Sequence, residues 1–95
     1  MYLIATRAYP PERGGMQSLM WGLTKEISKN FMIKVFADYH ENHKEFDNKI
    51  NFSIERVGGI KFLRKIRKAQ LVNEFLKENK VQGIIADHWK SLELI

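Results

Sequence analysis

The chain has no cysteine, only two prolines, six glycines and no long hydrophobic run in its 95 residues. Without cysteine there is no disulfide framework and no thiolate metal site, which fits a reducing compartment. Nothing approaches the roughly 20 consecutive apolar residues that crossing a bilayer as a helix requires. Met1 is followed directly by a strand-like run, with no basic leader and no apolar h-region, so no signal peptide is expected.

What is present describes a folded domain. A hydrophobic content of 44% is ordinary for a globular chain and argues against disorder. The length suits one small domain or a piece of a larger one. A net charge of +5 favours anionic partners, which leaves nucleotides, phospholipid surfaces and nucleic acids in play.

The stretch Tyr9-Pro10-Pro11-Glu12-Arg13-Gly14-Gly15 stands between an apolar run, Tyr2 to Thr6, and an amphipathic run, Met16 to Lys29. A strand, a stiff Pro-Pro entry, a glycine pair and a helix can bring bare backbone N–H groups up to a ligand. Anionic groups are favoured there, because a helix N-terminus carries unpaired donors and a partial positive charge. The same residues also suit a plain turn from strand to helix. Both readings stand at this level.

Tyr2 to Thr6 is nearly continuous in apolar residues, as expected of a first and central strand buried on both faces. Met16, Leu19, Met20, Leu23 and Ile27 recur at helical spacing and predict the buried stripe of the first helix, with Gln17, Thr24, Lys25 and Ser28 opposite. Met32 to Ala37 reads as a second strand. Asp38 to Lys49 is polar and reads as a solvated loop; His40 and His43 lie in it without a third ligand, so no metal site is expected. Ile50 to Val57 alternates apolar and polar, which predicts a half-exposed strand near the sheet edge.

After Gly58-Gly59 comes a long helix, Ile60 to Asn79, with Phe62, Leu63, Ile66, Ala69, Val72, Phe75 and Leu76 as its apolar stripe. Its first half also carries Lys61, Arg64, Lys65, Arg67 and Lys68. These five residues suit a solvated face or docking on an anionic membrane surface. Nucleic-acid binding is not expected, since Phe62 and Phe75 lie on the apolar stripe and not among the basic residues. Val81 to Asp87 reads as another buried strand, and Leu92 to Ile95 reads as the opening of a further helix. The pattern predicts an α/β fold with a mostly parallel sheet. Ligands collect outside the carboxyl ends of such strands, where Tyr9–Gly15 and Asp87–Ser91 both emerge.

The Tyr-Pro-Pro-Glu-Arg-Gly-Gly-Met loop and the later Ile-Ala-Asp-His-Trp-Lys-Ser-Leu-Glu segment together resemble the N-terminal domain of retaining glycosyltransferases of family 4, over essentially the whole chain. The resemblance implies a Rossmann-like, acceptor-side part of a two-domain GT-B enzyme, with residues 1–95 covering part of that domain and the donor-binding domain absent. It implies a nucleotide-sugar donor and a glycan or lipid-linked acceptor, no cofactor, and a cytoplasmic location, peripheral at the inner face of the membrane. By position, Gly14 and Gly15 would face the donor phosphates and the transferring sugar. Glu12 and Arg13 would contact acceptor, and Trp89, Lys90 and Ser91 would line the same cleft. Relatives carry a histidine near the transferred sugar. Matching on the tryptophan puts Asp87 in that place, whereas the histidine itself is His88, so both are candidate catalytic residues. A chain without the second domain is expected to lack transferase activity and to self-associate through uncovered edges.

Overall fold

Leu3, Ile4 and Ala5 are fully buried in the computed structural model, which describes residues 1–95. Successive apolar positions suit a strand only where both of its faces are covered. The sheet has four strands: β1 (Tyr2–Ala5), β2 (Ile33–Asp38), β3 (Ser53–Val57) and β4 (Gly83–Ala86). Their order is β3-β2-β1-β4, and every neighbouring pair is parallel. Ile4 stands in register with Val35 on one side and Ile85 on the other, so β1 is central. β3 lies at the edge, as its alternation predicts, and its pairing with β2 is parallel. β4, expected to be buried, is the other edge and is only partly covered, because no strand pairs beyond it.

Helices cover both faces. Helix α1 (Gly15–Ser28) and the short α2 (His43–Asp47) pack on one face, where Ile4, Tyr9, Met20, Ile33, Val35 and Ala37 form the core. Helix α3 (Lys61–Glu78) packs on the other, against Leu3, Ala5 and Phe36 through Val72. The alternation of Leu3, Ile4 and Ala5 between these two clusters is the period-two side-chain direction of a strand. No helix is long and apolar enough to cross a membrane.

Several local expectations are corrected. In α1 the buried arc runs through Met20 and Thr24, flanked by Trp21 and Ile27, while Met16, Leu19 and Leu23 are exposed. The helix is turned because Tyr9 lies beneath it and pairs its hydroxyl with Thr24 Oγ1 at 2.7 Å. Trp21 then packs edge-on to Tyr9 and Phe46. The polar stretch after β2 is not all loop: α2 forms there, and Phe46 anchors it in the aromatic cluster.

In α3 the stripe is buried only at Ala69 and Val72, with Phe75 and Leu76 half-buried beyond them, and Phe62 is 70% exposed. Lys68, expected on the basic outer face, is 5% exposed, because Asp38 and the Thr6 carbonyl receive its ammonium. The expected helix opening at Leu92–Ile95 is also absent. A single 3-10 turn spans Trp89–Leu92, and the backbone is extended at Glu93. The turn starts early because the His88 ring caps it and Ser91 is drawn back to Asp87.

Candidate functional site

The strand order proceeds outward from β1 through β2 to β3 and then crosses back to β4 on the far side of β1. At such a reversal, loops leaving neighbouring strands diverge and open a crevice outside their carboxyl ends. The two loops at that crevice are the Thr6–Gly14 connection into α1 and the Asp87–His88 segment after β4.

Asp87 joins them. Its Oδ2 accepts from the backbone N–H groups of Arg7 and Ala8, both at 3.1 Å, and its Oδ1 accepts from Ser91 Oγ at 2.6 Å. Burial alone would push this carboxyl up. The hydrogen bonds from Ser91, Ala8 and Arg7 outweigh it and hold the group below its ordinary value. Both oxygens are engaged, so Asp87 acts here as a clamp between two strand ends. Ser91 is buried as part of that clamp.

His88 is exposed beside it. Its Nδ1 accepts from the Lys90 backbone N–H at 3.1 Å, capping the 3-10 turn. A neutral imidazole accepting at Nδ1 carries its proton on Nε2. The nitrogen left to the crevice is therefore a donor, suited to a ligand hydroxyl or oxyanion. Trp89 is exposed, with its ring 5.6 Å from that of His88, and the Lys90 ammonium lies 5.8 Å from the indole.

The glycine loop is held from beneath. Tyr9 is buried, and burial pushes its phenol up to about 12. Pro10 is tied to the edge strand through its carbonyl, which accepts from Arg56 Nη2 at 2.5 Å. The Pro10–Pro11 peptide is cis. Glu12 accepts from the Gln17 side chain across the start of α1, and Arg13 is exposed. Gly14 is extended and supplies no side-chain cap to α1, and Gly15 opens the helix. A Cβ on Gly14 would run into Gln17 Oε1, whereas one on Gly15 would meet nothing within 4 Å. The open space before Gly15 faces solvent, and nothing in the fold requires its lack of a side chain.

A cavity of about 380 Å³ is lined by Arg7, Glu12, Met16, Asp38, Asp87 and His88, among others. It brings together Glu12, Asp87 and His88 of the residues singled out by sequence. Gly14, Gly15, Arg13, Trp89, Lys90 and Ser91 do not line it. Lys90 and Ser91 line a neighbouring crevice instead.

Two further residues of this region escaped the sequence reading. Asp38 ends β2 and holds Lys68 Nζ at 2.6 Å and Arg64 Nε at 3.2 Å; Arg7 lies two residues beyond the end of β1. The available signal was positional, since both are charged residues at the carboxyl end of a buried strand. The histidines of the following segment are used locally. His40 Nδ1 accepts from the Asn42 N–H, and His43 pairs with Asp47 at 3.1 Å. No three metal-ligating side chains converge anywhere in the chain.

Comparison with protein-family models, with curated proteins and with solved structures found no match for this chain.

Proposed function

We propose that this chain is the acceptor-side, Rossmann-like part of a nucleotide-sugar-dependent retaining glycosyltransferase of the GT-B type, one that transfers a hexose-type sugar to a glycan or lipid-linked acceptor. The observation that carries the reading is the Asp87 clamp. It binds the loop after β1 to the segment after β4, the two stretches whose residues resemble that family, at one sheet edge. In this reading the α1 N-terminus and the bare backbone at Gly14-Gly15 stabilise negative charge on the departing diphosphate. The His88 Nε2–H donates to a hydroxyl of the transferring sugar or acceptor, and Asp87 positions the loops without touching substrate.

The test is a titration of the isotope-labelled chain, followed by amide chemical shifts, with alkyl hexosides as acceptor mimics and with nucleotide-sugars. Saturable shifts centred on Glu12–Gly15 and His88–Lys90 are expected. A Gly15→Leu variant, which the open space at that position tolerates, should keep its fold by circular dichroism and lose those shifts. Unchanged binding in the folded variant would sink the assignment.

A second reading, docking on an anionic membrane surface, is favoured by one observation. Ile60, Phe62 and Leu63 are exposed together at the start of α3, beside the exposed Lys61 and near Arg67. Co-sedimentation with anionic vesicles, lost in a Phe62→Ser, Leu63→Ser double variant, is the outcome it requires.

A further inference from the structure

Beside the glycine-loop cleft, and sharing with it the wall made by Arg7, Asp38 and Arg64, lies a second crevice of about 500 Å³. Six cationic side chains line it: Arg7 after β1, Lys61, Arg64, Lys65 and Lys68 from α3, and Lys90 from the 3-10 turn. Only two carboxylates answer them. Asp38 takes Lys68 and Arg64, and Glu93 takes Lys65. Arg7, Lys61 and Lys90 have no carboxylate within ion-pair distance, so positive charge from three separate elements is left uncompensated around one concavity.

Holding like charges around one concavity carries a cost by mutual repulsion, moderated by solvent because Arg7, Lys61 and Lys90 are exposed. A multivalent anion relieves that cost. The donors are of the kinds that recognise phosphate: guanidinium forks at Arg7 and Arg64, and ammonium point charges at Lys61 and Lys90. Ser91 also lines the crevice, with its hydroxyl already donated to Asp87, and the exposed ring of Phe62 forms part of the wall. The crevice also lies outside the carboxyl ends of β1 and β2, where parallel sheets bind ligands.

We propose that this crevice is a binding site for a phosphoryl group carried by an organic ligand, a phosphomonoester or a diphosphate, with the organic part against Phe62. The phosphoryl group is held by Arg7, Arg64 and Lys90. Asp38 orients Arg64 and Lys68 toward the crevice, and Glu93 does the same for Lys65. The site does not depend on glycosyl transfer, since it requires only an anion of this geometry.

The test uses the 95-residue chain and inorganic pyrophosphate as the probe, read by calorimetry and by amide shifts at constant ionic strength. Saturable binding is expected, with shifts at Arg64–Lys68 and Lys90–Ser91. Arg7→Ala and Lys90→Ala should each weaken it about tenfold, the loss of one charge-assisted hydrogen bond. A Lys44→Ala, Lys80→Ala pair, exposed and outside the crevice, removes the same kind of charge and should leave the Kd unchanged.

Equal weakening by that pair would reduce the effect to net charge and overturn the proposal. So would absence of saturation, or sulfate producing the same shifts with the same affinity. Vesicles of phosphatidylcholine with phosphatidic acid form the second arm. Displacement of pyrophosphate by them supports the site with a lipid phosphate as its ligand, and saturable pyrophosphate binding without displacement supports it with a free one. Vesicle binding without any pyrophosphate binding overturns it in favour of surface docking.

Discussion

Arg56, on the edge strand, donates from Nη2 to the carbonyl of Pro10 at 2.5 Å, 46 residues away in the chain. The same guanidinium grips Asp47 in a fork, at 2.9 Å from Nη2 and 3.1 Å from Nε, and reaches the Asp38 carbonyl at 3.3 Å. Its side chain is 4% exposed. A planar fork of five donors can hold both oxygens of a carboxylate and two carbonyls in fixed directions, a geometry that the three donors of a lysine ammonium do not reproduce. The start of the glycine loop is thus fixed by β3 and α2.

Replacing Arg56 by methionine leaves the buried side of the Asp47 carboxylate with His43 alone and takes a donor from the Pro10 and Asp38 carbonyls. A loss of about 3–5 kcal/mol in urea unfolding is expected. Arg56→Lys should recover only part of it, because one ammonium cannot reproduce the fork. Full recovery by lysine would show that charge alone holds the loop.

The Asp87 clamp predicts acid sensitivity. The folded carboxyl titrates below its ordinary value of 3.8, so the clamp's contribution is complete above that value and is lost as pH falls through the folded-state value. Asp87→Asn keeps one acceptor oxygen, so an NH2 donor faces either the Arg7 and Ala8 N–H groups or the Ser91 hydroxyl; the change should cost about 1–3 kcal/mol at neutral pH. The gap between variant and parent should narrow from pH 5 to pH 2, about the range of carboxylate titration. A constant gap across that range would count against the clamp.

The buried contact between Tyr9 and Thr24 predicts an asymmetry. Thr24 Oγ1 also donates to the Trp21 carbonyl at 3.0 Å, which leaves Tyr9 as the donor in their bond. Tyr9→Phe removes that donor and should cost about 1 kcal/mol. Thr24→Val instead strands a buried phenol and should cost up to about 3 kcal/mol. Thermal unfolding of the two variants gives the ranking, and the reverse order would refute it.

Helix α3 should respond unevenly along its apolar stripe. Phe62→Ser and Leu63→Ser act on exposed positions and should change stability by less than about 0.5 kcal/mol. Val72→Ala hollows a site with no exposure and should cost about 2 kcal/mol. Comparable losses at all three positions would mean that the start of α3 is packed in solution.

The fold class was open to reading because burial on both faces writes itself directly into sequence. The apolar runs at Tyr2–Thr6 and Met32–Ala37 and the alternation through Ile50–Val57 marked a central strand, a second strand and an edge strand, which the structure forms at Tyr2–Ala5, Ile33–Asp38 and Ser53–Val57. Helix faces were less legible. The apolar spacing of Met16, Leu19 and Leu23 satisfied a helical stripe, yet α1 presents Thr24 inward, since a hydroxyl with two buried partners packs as well as a leucine there. Lys68 reads as surface charge for the same reason: its partners, Thr6 and Asp38, lie 62 and 30 residues away.

The candidate site divides along the same line. From the sequence alone came the α/β class and the emergence of two loops, Tyr9–Gly15 and Asp87–Ser91, at one sheet edge. These follow from local patterning, in which each strand hands its next residues to the carboxyl edge. Only the tertiary structure decided what those residues do. It closed both oxygens of Asp87 on Arg7, Ala8 and Ser91, turned His88 into a cap with Nε2 outward, and folded the basic half of α3 over Asp38 and Glu93. The His88 cap and the Ser91 contact are local, but Arg7 and Ala8 lie 80 and 79 residues from Asp87, and Glu93 lies 28 from Lys65. No local pattern records which donor will meet which acceptor at that distance.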